Sequence, residues 1–193
     1  MSDRLSAISD FILQLDALKS VERRTYINSG ERLENSAEHS WHLAITCWAF
    51  AELLQDDYDV PTLIKLALIH DIGEIDAGDT FLYSPNRDTA HILERESVER
   101  IAAHPGNPIG NIVELWEEQE IGVTKEAKLL KVIDRLLPFL HNMTSEGQAW
   151  KDNGIHKAQV LNMHQFIEKE SPEIFSWFVI QLEYAVEQGW LKA

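Results

Sequence analysis

The 193-residue chain contains one cysteine, Cys47, so no intrachain disulfide can staple it and no paired-cysteine zinc site can form. That sparing use of cysteine fits a reducing compartment. Basic charge is also scarce: 17 Lys and Arg stand against 32 Asp and Glu, a formal net charge of −15. A surface of that sign repels polyphosphate backbones and anionic bilayers, which argues against a nucleic acid polymer or a membrane as partner. Long hydrophobic runs are missing too. The nearest, residues 41–54, falls short of the ~18–20 apolar residues of a membrane span and is interrupted by His42 and Glu52. The first twenty residues mix charges with apolar positions at helical spacing, unlike a secretory signal. The expectation is a cytoplasmic protein.

What is present is a globular composition. Hydrophobic residues make up 45% and charged residues 25%, with six Trp and seven Phe, enough to fill a core without staples. The length matches one domain of ~100–200 residues, so a single domain over residues 1–193 is expected.

The periodicity is helical almost throughout. Ile8, Phe11, Ile12, Leu15 and Leu18 follow the i, i+3, i+4, i+7 rule of an amphipathic helix. Residues 19–34 are polar and read as a loop carrying Arg23, Arg24 and Arg32. Asn35 followed three residues later by Glu38 is a capping signal, opening a helix to about residue 55 that is apolar on most sides and therefore central. Pro61 suits the first turn of the next helix, residues 62–72, also nearly all apolar. Gly73, Gly78 and Ser84-Pro85-Asn86 make residues 75–88 a loop. Further helices are expected over 88–103, 109–119, 124–142, 157–169 and 172–189, and no run shows convincing strand alternation. The fold class is all-α.

Three segments place polar groups where an apolar helix should have none: Glu38-His39-Ser40-Trp41-His42, Ile69-His70-Asp71-Ile72-Gly73-Glu74 and Ile133-Asp134-Arg135. Each has an ordinary explanation alone. His39 can be a packed or capping histidine, and Asp134 can pair with Arg135 or Lys131. Together they change the odds, because unpaired buried charges cost several kcal/mol or more. Two His and two Asp from separate helices can be neutralised at once by one divalent cation. Glu74 stands i+4 from His70 and i+3 from Asp71, and a carboxylate beside such an ion can orient or deprotonate a water. A solvated helix-end acid is the equal alternative.

Taken in order, Glu34-Asn35-Ser36-Ala37-Glu38-His39-Ser40, Ala67-Leu68-Ile69-His70-Asp71-Ile72-Gly73-Glu74 and Gly78-Asp79-Thr80 resemble the HD-domain metal-dependent phosphohydrolases. Within them they are similar to the subgroup related to bacterial 5′-deoxynucleotidases. The resemblance covers about residues 15–145, with C-terminal helices over about 157–191. It implies a helical bundle of the HD type and one divalent metal ion per chain (Co, Mn, Mg, Fe or Zn), held by His39, His70, Asp71 and Asp134. It further implies that Glu74 activates the attacking water, that Asp79 lies by the substrate's sugar and phosphate, and that Arg23, or its competitor Arg24, contacts the phosphate. The partner would be a small phosphate ester, a nucleotide, and a homodimer is suggested.

Two departures matter. The subgroup carries an Arg-Trp pair where this chain has Arg23-Arg24, which leaves nucleotide selectivity open. Stringent-response nucleotide hydrolases follow their His-Asp with Glu-Asp, whereas here Glu74 precedes Ile75. The extra histidines of binuclear members have no persuasive match in His91, His104 or His141.

The expected activity is release of phosphate from nucleoside, above all deoxyribonucleoside, 5′-monophosphates by a metal-activated water. Hydrolysis of triphosphates or cyclic phosphodiesters by the same ligands is the alternative within enzymes. A non-catalytic helical binding module with a structural metal is the alternative outside them, disfavoured because such a site needs neither Glu74, Asp79 nor the arginine loop. Cys47, between Thr46 and Trp48 on an apolar helix, reads as a packed thiol rather than a nucleophile. No nucleophile elbow, P-loop or dinucleotide fingerprint is present. Phe175, Trp177, Phe178 and Tyr184 read as core or as a dimer face, and the pattern alone does not separate the two.

Overall fold

A computed structural model describes residues 2–84 and 87–193, with side chains at all of these except 2, 87 and 88. The all-α expectation holds: helices dominate, and the two strands found among the described residues are short. The chain divides into two compact units, residues 1–23 with 35–130, and residues 24–34 with 131–193. No helix among the described residues is long and apolar enough to cross a membrane.

In the first unit, α1 (Ser2–Leu15) runs into a 3₁₀ turn (Asp16–Ser20) that buries Leu18. Of the expected apolar stripe Phe11 is buried, while Ile12 is largely exposed. α2 (Ser36–Leu54) starts at the anticipated capping box: the Asn35 side chain accepts from the Glu38 amide (2.9 Å), and Glu38 accepts from the Asn35 amide (3.2 Å). α3 (Val60–Ile69) begins at Asp59, which bonds Thr62, with proline in the first turn. Leu43 and Cys47 of α2 and Leu63, Leu66 and Ala67 of α3 are fully buried, so Cys47 is the packed thiol its setting suggested. α2 is less central than its composition implied, since Trp41, Ile45, Trp48 and Leu53 are exposed.

The loop expected over 75–88 contains one helical turn, α4 (Glu74–Ala77), ahead of Gly78; Pro85 and Asn86 lie outside the described residues. α5 (Arg87–Ala102) and α6 (Ile112–Ile121) follow. Phe11, Ile72, Val98, Ile101, Ile112 and Trp116 form one buried cluster that holds α1, α5 and α6 to the turn after α3. Gly73 sits where α4 meets α5: a Cβ there would stand 2.7 Å from the Glu94 carbonyl oxygen. A glycine is required by that approach.

Residues 19–34, read as loop, instead form a hairpin of β1 (Glu22–Tyr26) and β2 (Leu33–Asn35). Its inward positions on β1 are Arg23 and Thr25, so no apolar alternation advertised it.

α7 (Lys125–Thr144) runs from the first unit's residues into the second's. The second unit continues with α8 (Gln148–Asn153), α9 (Lys157–His164), α10 (Ile167–Glu170) and α11 (Pro172–Glu187). The single helix expected over 157–169 is thus broken in two. Phe139, His164 and Phe178 meet in the core, His164 and Phe178 stacked nearly parallel at 4.5 Å and Phe139 edge-on to both. Phe178 belongs to the core, and Trp177 and Tyr184 are exposed.

Candidate metal centre and catalytic pocket

Two elements of the first unit, α2 and the end of α3, deliver the polar cluster. His39 is fully buried on the first turns of α2, His70 caps the C-terminus of α3, and Asp71 follows it. One donor atom from each of the three lies within 4.8 Å of the others. The His70 Nδ1 faces the Ala67 carbonyl oxygen at 2.8 Å, so that nitrogen donates, and Nε2 stands 3.0 Å from Asp71 Oδ1. A backbone acceptor on one ring nitrogen is how proteins fix a ligating imidazole. Trp116 holds the same residue from behind, its Nε1 donating to the His70 carbonyl (3.1 Å). Two imidazoles and a carboxylate converging at this spacing fit a divalent ion.

Arg23 projects inward from β1, and its Nη1 donates to Asp71 Oδ2 at 2.8 Å, with Asp79 Oδ1 at 3.8 Å. Arg24 is exposed, as strand geometry dictates, because successive side chains leave opposite faces. Burial by itself would raise the Asp71 carboxyl, but the charges of His70 and Arg23 outweigh it and hold the group down to about 2.

Glu74 opens α4 and is buried. Burial pushes its carboxyl up to about 9, with the neighbouring Asp71 charge adding to the rise. Ser36 Oγ donates to Glu74 Oε2 at 2.5 Å and works the other way, favouring the carboxylate. Gly78 then turns the chain with a φ of 75°, a conformation that strongly favours glycine, and Asp79 follows. A cavity of about 600 Å³ opens here, lined among others by Lys19, Ser20, Glu22, Glu74, Gly78 and Asp79. That volume suits a small organic ligand.

The structure therefore gathers His39, His70, Asp71, Glu74, Arg23 and Asp79 within one unit. Asp134 is half-buried on the stretch of α7 that belongs to the second unit, within electrostatic reach of His164. Sequence reasoning passed over Ser36 and Trp116. Ser36 lies three residues before His39, on the same helical face, which was the available signal. Nothing in the pattern around Trp116 marked it as a support for His70.

Residues 15–175 match a family model described as an HD domain. Similar proteins include the 5′-deoxynucleotidase HDDC2 of Dictyostelium discoideum, 29% identical over 155 residues, covering 75% of this chain and 80% of that protein. The human protein of the same name is 28% identical over 134 residues, covering 67% of this chain and 63% of its own length, so the chain spans less than two thirds of it. Among solved structures, one described as a "predicted metal-dependent phosphohydrolase" from Magnetospirillum magnetotacticum superposes with a TM-score of 0.89. It is 34% identical, with 98% of this chain and 96% of that one covered. With the family model matching most of its length and a like-folded relative over nearly all of it, the chain belongs to the HD-domain family.

Proposed function

We propose that this chain is a metal-dependent phosphohydrolase that releases phosphate from deoxyribonucleoside 5′-monophosphates. The observation that carries the reading is the burial of Glu74, an acid with a strongly raised pKa, beside His39, His70 and Asp71 at the edge of a cavity. A structural metal site needs no such neighbour. The 5′-deoxynucleotidase relatives support the substrate class.

His39, His70 and Asp71 would hold the ion, with Asp134 a further ligand on the resemblance alone. A divalent ion there would supply positive charge for phosphoryl oxygens and would acidify water at neutral pH. Positive charge beside Glu74 favours its carboxylate, the form that takes a proton from the attacking water. As the water oxygen bonds phosphorus, the bond to the nucleoside oxygen breaks, and the proton taken up by Glu74 balances the one that oxygen acquires as it leaves. Arg23 binds non-bridging phosphate oxygens, its planar guanidinium suiting two of them at once. Asp79 lies by the sugar. Metal and arginine together reverse, locally, the field of a chain with net charge −15. Mn, Co, Fe, Zn and Mg are all compatible with the donor set.

The test is phosphate release by the metal-stripped protein, with Co, Mn, Mg or Zn added back, across deoxy- and ribonucleoside mono- and triphosphates and cyclic phosphodiesters. Metal-dependent release from monophosphates, weaker for ribose forms, is expected. Activity confined to triphosphates or cyclic diesters overturns the substrate, and inactivity with metal tightly bound overturns the enzyme.

A further inference from the structure

A second group of metal-binding side chains lies in the first unit, on α5 and α6. His91 and Glu94, three residues apart on α5, share a face of that helix. Glu120 stands near the end of α6. One donor atom from each of the three lies within 4.8 Å of the other two, and His91 Nδ1 is 2.9 Å from Glu120 Oε2. Bonds of about 2.0–2.2 Å to one ion place its donors up to about 4.4 Å apart, so little closure is needed.

The imidazole is not a loose surface group. It stacks on Trp116 with ring centroids 5.3 Å apart and planes 19° from parallel. Trp116 is itself buried and tethered through its indole N–H to the His70 carbonyl. Gln119 donates to the other oxygen of Glu120, Oε1 at 2.8 Å, which aims Oε2 at His91. Arg95, the next residue after Glu94, pairs with Glu99 and Glu117. An ordinary surface ion pair would need one carboxylate; here a second, from Glu94, enters the same space.

We propose that His91, Glu94 and Glu120 form an accessory site for one divalent transition-metal ion. Imidazole with carboxylates selects zinc, cobalt, nickel or manganese over calcium, which prefers oxygen alone. The stacked indole and the Gln119 bond hold two of the three ligands in place before the ion arrives, which lowers the ordering cost of binding. The site is separate from His39, His70 and Asp71 and does not depend on the activity proposed above.

The test is the number of Zn²⁺ ions bound per chain, by equilibrium dialysis and metal analysis of the full chain. Wild type is compared with His91→Ala and Glu120→Gln, with excess Ca²⁺ present throughout. Both positions are partly exposed, so both variants should fold. Each is expected to lose one equivalent, or to bind it at least about tenfold more weakly, while the tightly held equivalent stays. Binding by both variants equal to wild type overturns the site, as does displacement of that equivalent by Ca²⁺. Phosphate release is not read, so failure here is distinct from failure of the hydrolase reading.

Discussion

The Ser36 hydroxyl donates a 2.5 Å hydrogen bond to Oε2 of Glu74, joining the first residue of α2 to the first residue of α4. It opposes the burial that raises Glu74, and it fixes one of the two carboxylate oxygens. Ser36→Ala is therefore expected to move the acid limb of the kcat–pH profile upward, because the carboxylate then forms only at higher pH. The substitution costs about 1 kcal/mol of stability from the lost bond. An unmoved limb would remove Ser36 from the machinery.

Glu74 and Asp71 should separate metal retention from turnover. Glu74→Gln is expected to retain metal and lose ~10²–10⁴-fold in kcat, the usual worth of a positioned general base. Asp71→Ala is expected to lose metal and activity together. Metal analysis alongside steady-state rates checks both, and wild-type turnover in Asp71→Ala would sink the mechanism.

Glu74 also sets a pH dependence of stability. Its folded-state value of about 9 lies above the ordinary 4.5. Between them the folded chain keeps a proton that the unfolded chain has released, so stability falls as pH rises. Denaturant titrations of the metal-stripped protein should show that decline. Glu74→Gln, which cannot ionise, should flatten it and be the more stable protein near the upper end by about 1 kcal/mol or more. Parallel pH profiles for the two proteins would contradict the raised value.

The two arginines can be told apart by kinetics. Arg23 faces Asp71 and Asp79, whereas Arg24 faces outward. Arg23→Ala should lower kcat/KM by ~10²-fold, as loss of a charge-assisted contact of about 1.5–3 kcal/mol predicts. Arg24→Ala should change it by less than about threefold, the scale of a solvated surface charge. The reverse order would reassign the phosphate contact.

Gly73→Ala tests the packing beneath the centre. The added methyl meets the Glu94 backbone at 2.7 Å, so α4 or α5 must move. A loss of about 1–3 kcal/mol is expected, with reduced kcat because Glu74 is the next residue. A thermal melt and a rate measurement on the same sample decide it.

The helices that carry the centre were legible because their signals are local. Asn35 with Glu38 marks an N-terminus wherever it occurs, and His70-Asp71 stands out against Leu63, Leu66 and Ala67. The hairpin was not legible, because its inward residues, Arg23 and Thr25, owe their place to pairing and to Asp71 rather than to hydrophobicity. α4 escaped for another reason: a single turn has almost no intrinsic stability and forms only where tertiary contacts hold it. The apolar residues of α2 misled in the other direction. Trp41, Ile45 and Trp48 look like core in the sequence, yet apolar atoms make up much of any folded surface. Ser36 was hidden in plain view, since a serine beside a helix start passes for a cap.

The alternation along β1 also constrains how the gene can change length. Removing or adding one codon between Val21 and Arg23 would carry Arg23 to the outer face and bring Glu22 or Arg24 inward. One of those exchanges sets an acid against Asp71. Two-codon changes would restore the face while shifting the side chain along the strand by about 7 Å. The turn between β1 and β2 lies beyond that register, so length variation should accumulate there and be purged just ahead of Arg23.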